Sequence, residues 1–213
     1  MFKNFLFLIL FVLASFTASA QYLSGAYGAE PIKGESMVMK YAAKVGMNLT
    51  TMSSKGKDVD FGMAPGFQIG AACNIRWGYK TQYSKPGTGI LGFQPELLYS
   101  FQSVAVSGND ALKMNRIAMP LMLRAYPFYG IYFEAGPEFS YLISTSPESV
   151  AVDPLVYSVG ECSGLAADIA IGAGWESKMG ITAGIRYGAG ITAIARNLPW
   201  RTHNISVSVG WMF

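Results

Sequence analysis

The sequence predicts an all-β fold, an eight-stranded antiparallel up-and-down transmembrane β-barrel that is preceded by a cleaved signal peptide. Three features of the chain lead to this prediction. They are an apolar amino-terminal stretch with a cleavage pattern, a small fraction of charged residues, and apolar side chains that alternate with small or polar ones.

The amino terminus has the features of a secretory signal peptide. A short basic region precedes an apolar run over residues 5–13, and Ala18 and Ala20 fit a signal-peptidase site of the A-x-A type. A membrane helix needs about 20 residues, and this apolar run is shorter. The alternative is that the segment is retained as an anchor helix. The predicted organisation is a signal peptide over residues 1–20, a periplasmic segment over 21–39 and an outer-membrane barrel domain over 40–213.

The composition also indicates a membrane protein. Of the 213 residues, 51% are hydrophobic and only 14% are charged, whereas soluble domains carry about 25% charged residues. Beyond the signal peptide no apolar stretch reaches the about 18 residues typical of a membrane helix. Because only helices and closed barrels satisfy every backbone group in lipid, an exported chain of this kind should lie in a Gram-negative outer membrane. The net charge of +3 is small and gives no support to a nucleic-acid partner.

The last residues of the chain show the alternation most clearly. Apolar side chains at Ile205, Val207, Val209, Trp211 and Phe213 share one parity, while small or polar ones occupy the other. Successive side chains of a strand point to opposite faces, so this strand has one apolar and one polar face. A terminal aromatic strand is typical of outer-membrane barrels, and we expect Trp211 and Phe213 to form a carboxy-terminal signal for the assembly machinery.

The same alternation recurs in earlier segments. Roughly 190 residues after cleavage hold about eight strands of about 9–11 residues. The predicted strands are about 40–51, 66–76, 88–106, 113–126, 130–144, 164–176, 180–193 and 202 onwards. The longer outside loops would then be residues 52–65, 107–112, 145–163 and 194–201. The connection Trp77–Gly87 is long for a periplasmic turn, and we expect a bulge or a strand end at Pro95, Pro120 and Pro137.

The polar parity carries balanced charges that we expect in the lumen. They are Lys44, Arg76, Glu96, Arg116, Arg124, Glu134, Glu138, Asp168, Glu176 and Arg186. Buried ions must pair, so we interpret Glu134 and Glu138 as partners of Arg116 and Arg124 rather than as a catalytic carboxylate pair. In the alternative, a soluble lipocalin-like ligand-binding barrel, the apolar parity would face inward instead.

Several stretches of the chain resemble a known family. In chain order they are Lys44–Leu49, Gly92–Ser100, Asn115–Arg124, Phe133–Phe139 and Asp168–Gly174. They are similar to the K-x-G-x-N, QPELLYS, IPLLLK, EAGPQ and D-x-G-x-x-x-G motifs of PorT-like outer-membrane barrels of Bacteroidota, with Ala170 replacing the first glycine of the last motif. The resemblance runs from about Ala42 to Phe213 and implies an eight-stranded barrel. The name-giving member is associated with protein secretion and protease maturation, whereas most members have no assigned activity.

The residues give little support to catalysis or to a bound cofactor. The single histidine, His203, has Ser206 on the opposite face of its strand, although another serine could approach it in space. Cys73 should face lipid in mid-strand and Cys162 should lie near an outer loop, which disfavours a disulfide. We therefore expect no enzyme activity, no catalytic residues, no metal and no cofactor.

The expected function is a structural or interaction role. The outer loops, above all residues 145–163, would meet an envelope or secretion protein, while outer-membrane lipid and the assembly machinery are the other expected partners. The alternative is a secretion-accessory or narrow transport barrel.

Overall fold

The structure, a computed structural model, describes most of the predicted barrel. The described residues are 35–54, 61–79, 91–106, 111–128, 130–147, 149–152, 155–158, 164–193 and 200–213. The predicted signal peptide, most of the segment over 21–39, and Cys162 lie outside them. Within the described part of the chain, no helix is long and apolar enough to cross a bilayer.

Ten strands form the described structure. They are β1 (Glu35–Ser54), β2 (Phe61–Tyr79), β3 (Leu91–Val106), β4 (Leu112–Phe128), β5 (Ile131–Ser146), β6 (Ser149–Val152), β7 (Leu155–Ser158), β8 (Leu165–Glu176), β9 (Ile181–Gly190) and β10 (Trp200–Met212). Eight of them form a closed antiparallel barrel in the order β1-β10-β9-β8-β5-β4-β3-β2, which confirms the predicted fold class. Most of these strands run beyond the predicted limits. For example, β1 begins ahead of Lys40 and β2 continues into the predicted connection after Trp77.

The apolar parity faces outward all round the barrel. Met47, Ile169 and Val209 are 67%, 53% and 51% exposed, whereas Asn48 on the other parity of β1 is 1% exposed. A water-soluble barrel would bury the first set, so the lipocalin-like alternative is wrong. Such a surface is stable only when lipid covers it.

The two ends of the barrel differ in their connections. Gly130 and Gly180 have φ values of 80° and 87° and form tight turns between β4 and β5 and between β8 and β9. We call this the short-turn end, and its outward surface carries exposed aromatic side chains at Tyr41, Trp77, Trp175, Trp211 and Phe213. Barrels place short turns in the periplasm and aromatic girdles at the membrane interfaces, so the opposite, long-loop end faces outside.

The long-loop end carries a structure that the loop prediction missed. Residues 145–163 were expected to be a polar loop, but β6 and β7 form a separate two-stranded hairpin within them. Val150, Val152, Val156 and Tyr157 are β-branched or aromatic residues, which favour strands.

The proline prediction was wrong. β3, β4 and β5 keep one register on both sides of Pro95, Pro120 and Pro137. The register shifts instead between Met63 and Phe67, Asn115 and Arg116, and Ala125 and Phe128. A proline removes one donor toward one neighbouring strand, and the intact pairs on either side of it hold the register.

The barrel closes where the end of the chain meets β1. Thr51 pairs with His203 and Ala43 with Trp211. The Tyr41 amide donates to the Phe213 carbonyl at 3.1 Å, and the Phe213 amide donates to the Tyr41 carbonyl at 2.8 Å. The Phe213 backbone therefore completes the ladder, while its ring is 76% exposed and contributes little packing.

We predict that Phe213→Ala lowers the amount of folded barrel in the outer membrane more than it lowers the stability of the refolded protein. The substitution keeps the backbone bonds to Tyr41 and removes only the exposed ring. Heat-modifiable gel mobility of membrane fractions measures the first quantity, and urea unfolding in detergent measures the second. Met179→Ala is the matched control, because Met179 is 75% exposed at the same end of the barrel. Equal membrane levels of the two variants would contradict the assembly role.

Candidate functional site

The lumen contains a cluster of charged side chains that meet across the barrel. Lys44 comes from β1, Glu96 from β3, Arg124 from β4, Glu134 from β5 and Arg186 from β9. We call these five residues the central charge cluster. Each lies on the lumenal parity of its strand and is buried, so the alternation of the strands brings them together.

Glu96 is the acceptor at the middle of this cluster. Lys44 Nζ donates to both of its carboxylate oxygens at 2.9 Å. Arg186 Nη1 and Nη2 donate to the same carboxylate at 3.0 and 2.9 Å, a two-pronged contact. Gln94 Nε2 adds a further bond at 2.6 Å, and the Glu96 side chain is 0% exposed. Its oxygens are thus satisfied entirely by protein donors.

Glu134 joins two arginines from different strands. Arg124 Nε donates to Glu134 Oε2 at 2.8 Å, and Arg186 Nε donates to Glu134 Oε1 at 2.8 Å. Arg186 therefore bridges the two carboxylates of the cluster. Moving an ion out of water into a protein interior costs roughly several kcal/mol of free energy. Only close pairing with an opposite charge, together with further hydrogen bonds, offsets that cost. The cluster provides such pairing.

Lumenal tyrosines support the arginines, a role that the sequence reasoning missed. The Arg124 guanidinium lies 3.9 Å from the centre of the Tyr132 ring, and that of Arg76 lies 3.8 Å from the Tyr126 ring. The Tyr132 ring fits because its neighbour on β8 is Gly174, where an added Cβ would come within 2.4 Å of the ring. Both tyrosines are on the lumenal parity, so the alternation already marked them.

A second charged group lies at the short-turn end. Arg76 forms an ion pair with Glu176, and Lys40 Nζ lies 3.4 Å from the other oxygen of the same carboxylate. Lys40 was not among the predicted lumenal charges, because it fell at the edge of the predicted first strand.

The structure does not bring the remaining predicted charges together as expected. Glu138 was expected beside Arg116 or Arg124, yet among the described residues it has no cationic group within 4.0 Å. The uninterrupted register of this part of β4 and β5 sets Arg116 opposite Leu142, whereas Glu138 stands opposite Pro120. On its other side Glu138 faces Asp168 of β8, next to a small cavity of about 10 Å³.

His203 lies on the outward face near the long-loop end. Its Nε2 is 3.1 Å from Ser53 Oγ and its Nδ1 is 3.0 Å from the Tyr187 hydroxyl, while Ser206 is buried on the lumenal side. Another serine does approach the histidine in space, as the sequence left open. No carboxylate among the described residues hydrogen-bonds to this ring.

No metal cluster of the usual kind occurs in the described part of the chain. There, no three histidine, cysteine, aspartate or glutamate side chains gather closely enough to hold an ion. Cys73 is a free thiol within the same residues.

Residues 38–196 match the family model described as outer membrane protein beta-barrel domain. The chain belongs to this family. The protein is therefore a small outer-membrane β-barrel of the eight-stranded type, and it resides in the Gram-negative outer membrane.

Solved structures of other outer-membrane barrels have a similar fold. Neisserial surface protein A aligns with a TM-score of 0.51 and 14% identity, over 81% of this chain and 97% of that protein. The attachment invasion locus protein of Yersinia pestis aligns with a TM-score of 0.46 and 9% identity, over 85% of this chain and 100% of that protein. OprG of Pseudomonas aeruginosa aligns with a TM-score of 0.42 and 9% identity, over 84% of this chain and 96% of that protein. No curated protein matches the chain significantly in sequence.

We predict that Glu134→Leu destabilises the barrel by about 3–5 kcal/mol, because Arg124 and Arg186 lose a buried counter-charge that both contact. Urea unfolding of the refolded protein in detergent measures the effect. Ala135→Leu is the control, since Ala135 is the next residue of β5 and is exposed on the lipid face. A Glu134→Leu barrel as stable as the wild type would show that the cluster does not depend on this pair.

Proposed function

We propose that this outer-membrane barrel is a structural or interaction protein with a closed lumen, which presents its outer loops to a partner in the cell envelope. The observation that carries the proposal is the central charge cluster. Its members come from β1, β3, β4, β5 and β9, so they reach the centre of the lumen from several sides of the barrel.

A transport role would need a continuous water path, and the cluster argues against one. Glu96 at its middle is completely buried, and Arg124 beside it is 2% exposed. The cavity next to Glu138 and Asp168, at about 10 Å³, has room for about one water molecule.

The outer loops supply the surface for interaction. The hairpin of β6 and β7 lies within a segment that carries Glu148, Asp153 and Glu161, so its sequence is mildly acidic. A partner with a basic surface would complement it. At the other end, Trp211 and Phe213 would serve the assembly machinery during insertion.

A secretion-accessory role of the PorT-like kind is the second candidate. Three of the motifs that resemble that family lie on β3, β4 and β5, which are neighbours in the barrel. We further propose that residues 1–20 are the export signal, which the outer-membrane location supports. The proposal includes no catalytic step.

We predict that the wild-type barrel gives no conductance steps in a planar lipid bilayer. Replacing both Glu96 and Arg186 by serine removes an anion and a cation together and takes bulk from the middle of the lumen. The double variant should therefore show small conductance steps. It serves as the positive control, because its steps would show that inserted protein is detectable. Regular steps from the wild type would favour the transport alternative.

We predict that the segment over 149–158 is needed to capture the partner. A photo-crosslinking residue at Tyr157 should trap an envelope protein, whereas the same residue at Lys178, in the turn at the short-turn end, should not trap it. A variant in which residues 149–158 are replaced by a Gly-Ser linker should keep heat-modifiable mobility and lose the captured protein. Equal capture by the linker variant would exclude this hairpin as the contact.

A further inference from the structure

A small cavity lies in the lumen toward the long-loop end, beside the central charge cluster. Its volume is about 10 Å³. Its walls come from β2, β3, β5, β8, β9 and β10, so they draw on most of the barrel. The lining residues are Gln68, Gln102, Glu138, Asp168, Arg186, Gly188, Thr202, Asn204 and Ser206.

Two carboxylates face each other at this cavity. Glu138 and Asp168 are directly opposite in the register of β5 and β8, and neither has a cationic group within 4.0 Å among the described residues. Like charges directly opposite on neighbouring strands destabilise a sheet. A positive group inside the cavity would offset this repulsion.

Buried oxygen atoms at the same place accept no hydrogen bond. Asp168 Oδ1 and Gln102 Oε1 have no donor in the described structure, although these residues are only 9% and 5% exposed. A buried acceptor without a partner costs about 1–3 kcal/mol. Both residues line the same cavity, and unpartnered oxygen atoms of this kind can serve as ligands for a cation.

Two arginines act on these carboxylates electrostatically. Arg186 lines the cavity, but its guanidinium nitrogens bind Glu96 and Glu134. Arg186 nevertheless acts electrostatically on Glu138, and Arg116 acts on both Glu138 and Asp168 while its Nη2 lies 3.2 Å from Met114 Sδ. These two arginines reduce the local negative potential, so a bound ion would be held with modest affinity.

We propose that this cavity is a binding site for a single hard divalent cation, Ca²⁺ in preference to Mg²⁺. Glu138 and Asp168 supply the charged ligands, and Gln68, Gln102, Thr202 and Asn204 offer neutral oxygens. Ca²⁺ accepts about six to eight oxygen ligands in irregular arrangements, whereas Mg²⁺ demands a near-octahedral site. The lining contains no histidine or cysteine, so softer metals find no preferred ligand.

The site would stabilise the outer half of the barrel. A bound ion would connect β2, β3, β5, β8 and β10 at a level where the described lumen has fewer ion pairs than at the central charge cluster. Because the site is on the side of the long-loop end, the external medium would supply the ion. Because positive charges lie nearby, we expect a dissociation constant of about 0.1–1 mM, which is typical of extracellular calcium modules.

The test uses the full barrel refolded in a nonionic detergent free of lipopolysaccharide, which itself binds Ca²⁺. Thermal unfolding is compared in chelator, CaCl₂ and MgCl₂ at equal ionic strength, and calorimetric titration with CaCl₂ gives the stoichiometry. We expect CaCl₂ to raise the unfolding midpoint of the wild type more than MgCl₂ does, with one ion bound. Glu138→Gln and Asp168→Asn should each weaken Ca²⁺ binding about tenfold or more.

Chelator distinguishes an ion site from a purely structural carboxylate. Without Ca²⁺, Glu138→Gln should be at least as stable as the wild type, because it removes one of two opposed charges. Glu176→Gln is the matched control, since this lumenal carboxylate pairs with Arg76 and Lys40 at the short-turn end and should leave the Ca²⁺ response intact. If a carboxamide variant fails to fold, Thr202→Val removes one neutral oxygen of the cavity and should weaken the response.

Three results would overturn the proposal. The first is a wild-type barrel that Ca²⁺ neither stabilises nor titrates. The second is a response of equal size in Glu138→Gln, Asp168→Asn and the control. The third is Glu138→Gln being less stable than the wild type by the same amount in chelator and in Ca²⁺, which would assign Glu138 to electrostatic pairing with Arg186 and Arg116.

Discussion

The burial of ionised side chains inside a narrow lumen is the constraint on which the rest of this structure depends. Glu96 has no access to solvent, so Lys44, Arg186 and Gln94 must satisfy its oxygens. Lys44 and Arg186 come from β1 and β9, so their bonds form only when these strands are correctly placed relative to β3. The cluster therefore favours one arrangement of the strands as well as filling their centre.

Lipid on the outside and charge on the inside act together. The outward parity is apolar because lipid covers it, and the closed ladder, completed by Tyr41 and Phe213, leaves no unpaired edge. The inward parity combines buried apolar side chains, such as Leu98, Met114 and Met122, with many polar and charged ones. Ion pairs, the tyrosines that stack on Arg76 and Arg124, and close approaches at glycines such as Gly174 add to these internal contacts.

The two levels of the lumen have different chemistry, and this difference bears on function. At the central charge cluster the cations and carboxylates contact each other directly, which suits a closed scaffold for outer loops. Toward the long-loop end, Glu138 and Asp168 face each other across a cavity without such contacts. A closed centre, together with the proposed ion site in the outer half, would suit a barrel whose exposed hairpin must be held in place.

The sequence by itself determined the fold class, the outward face and the identity of nearly all the lumenal charges, because alternation in a strand is a local property with period two. The same rule could have found Tyr126 and Tyr132, whose parity was visible. The tertiary structure alone decided which charges meet. Lys40 joined Glu176 from the edge of the predicted first strand, and the register of β4 and β5 set Arg116 opposite Leu142 and Glu138 opposite Pro120. Register and bulges depend on neighbouring strands distant in sequence, so the partners of each ion, and the cavity between Glu138 and Asp168, became visible only once the barrel was closed.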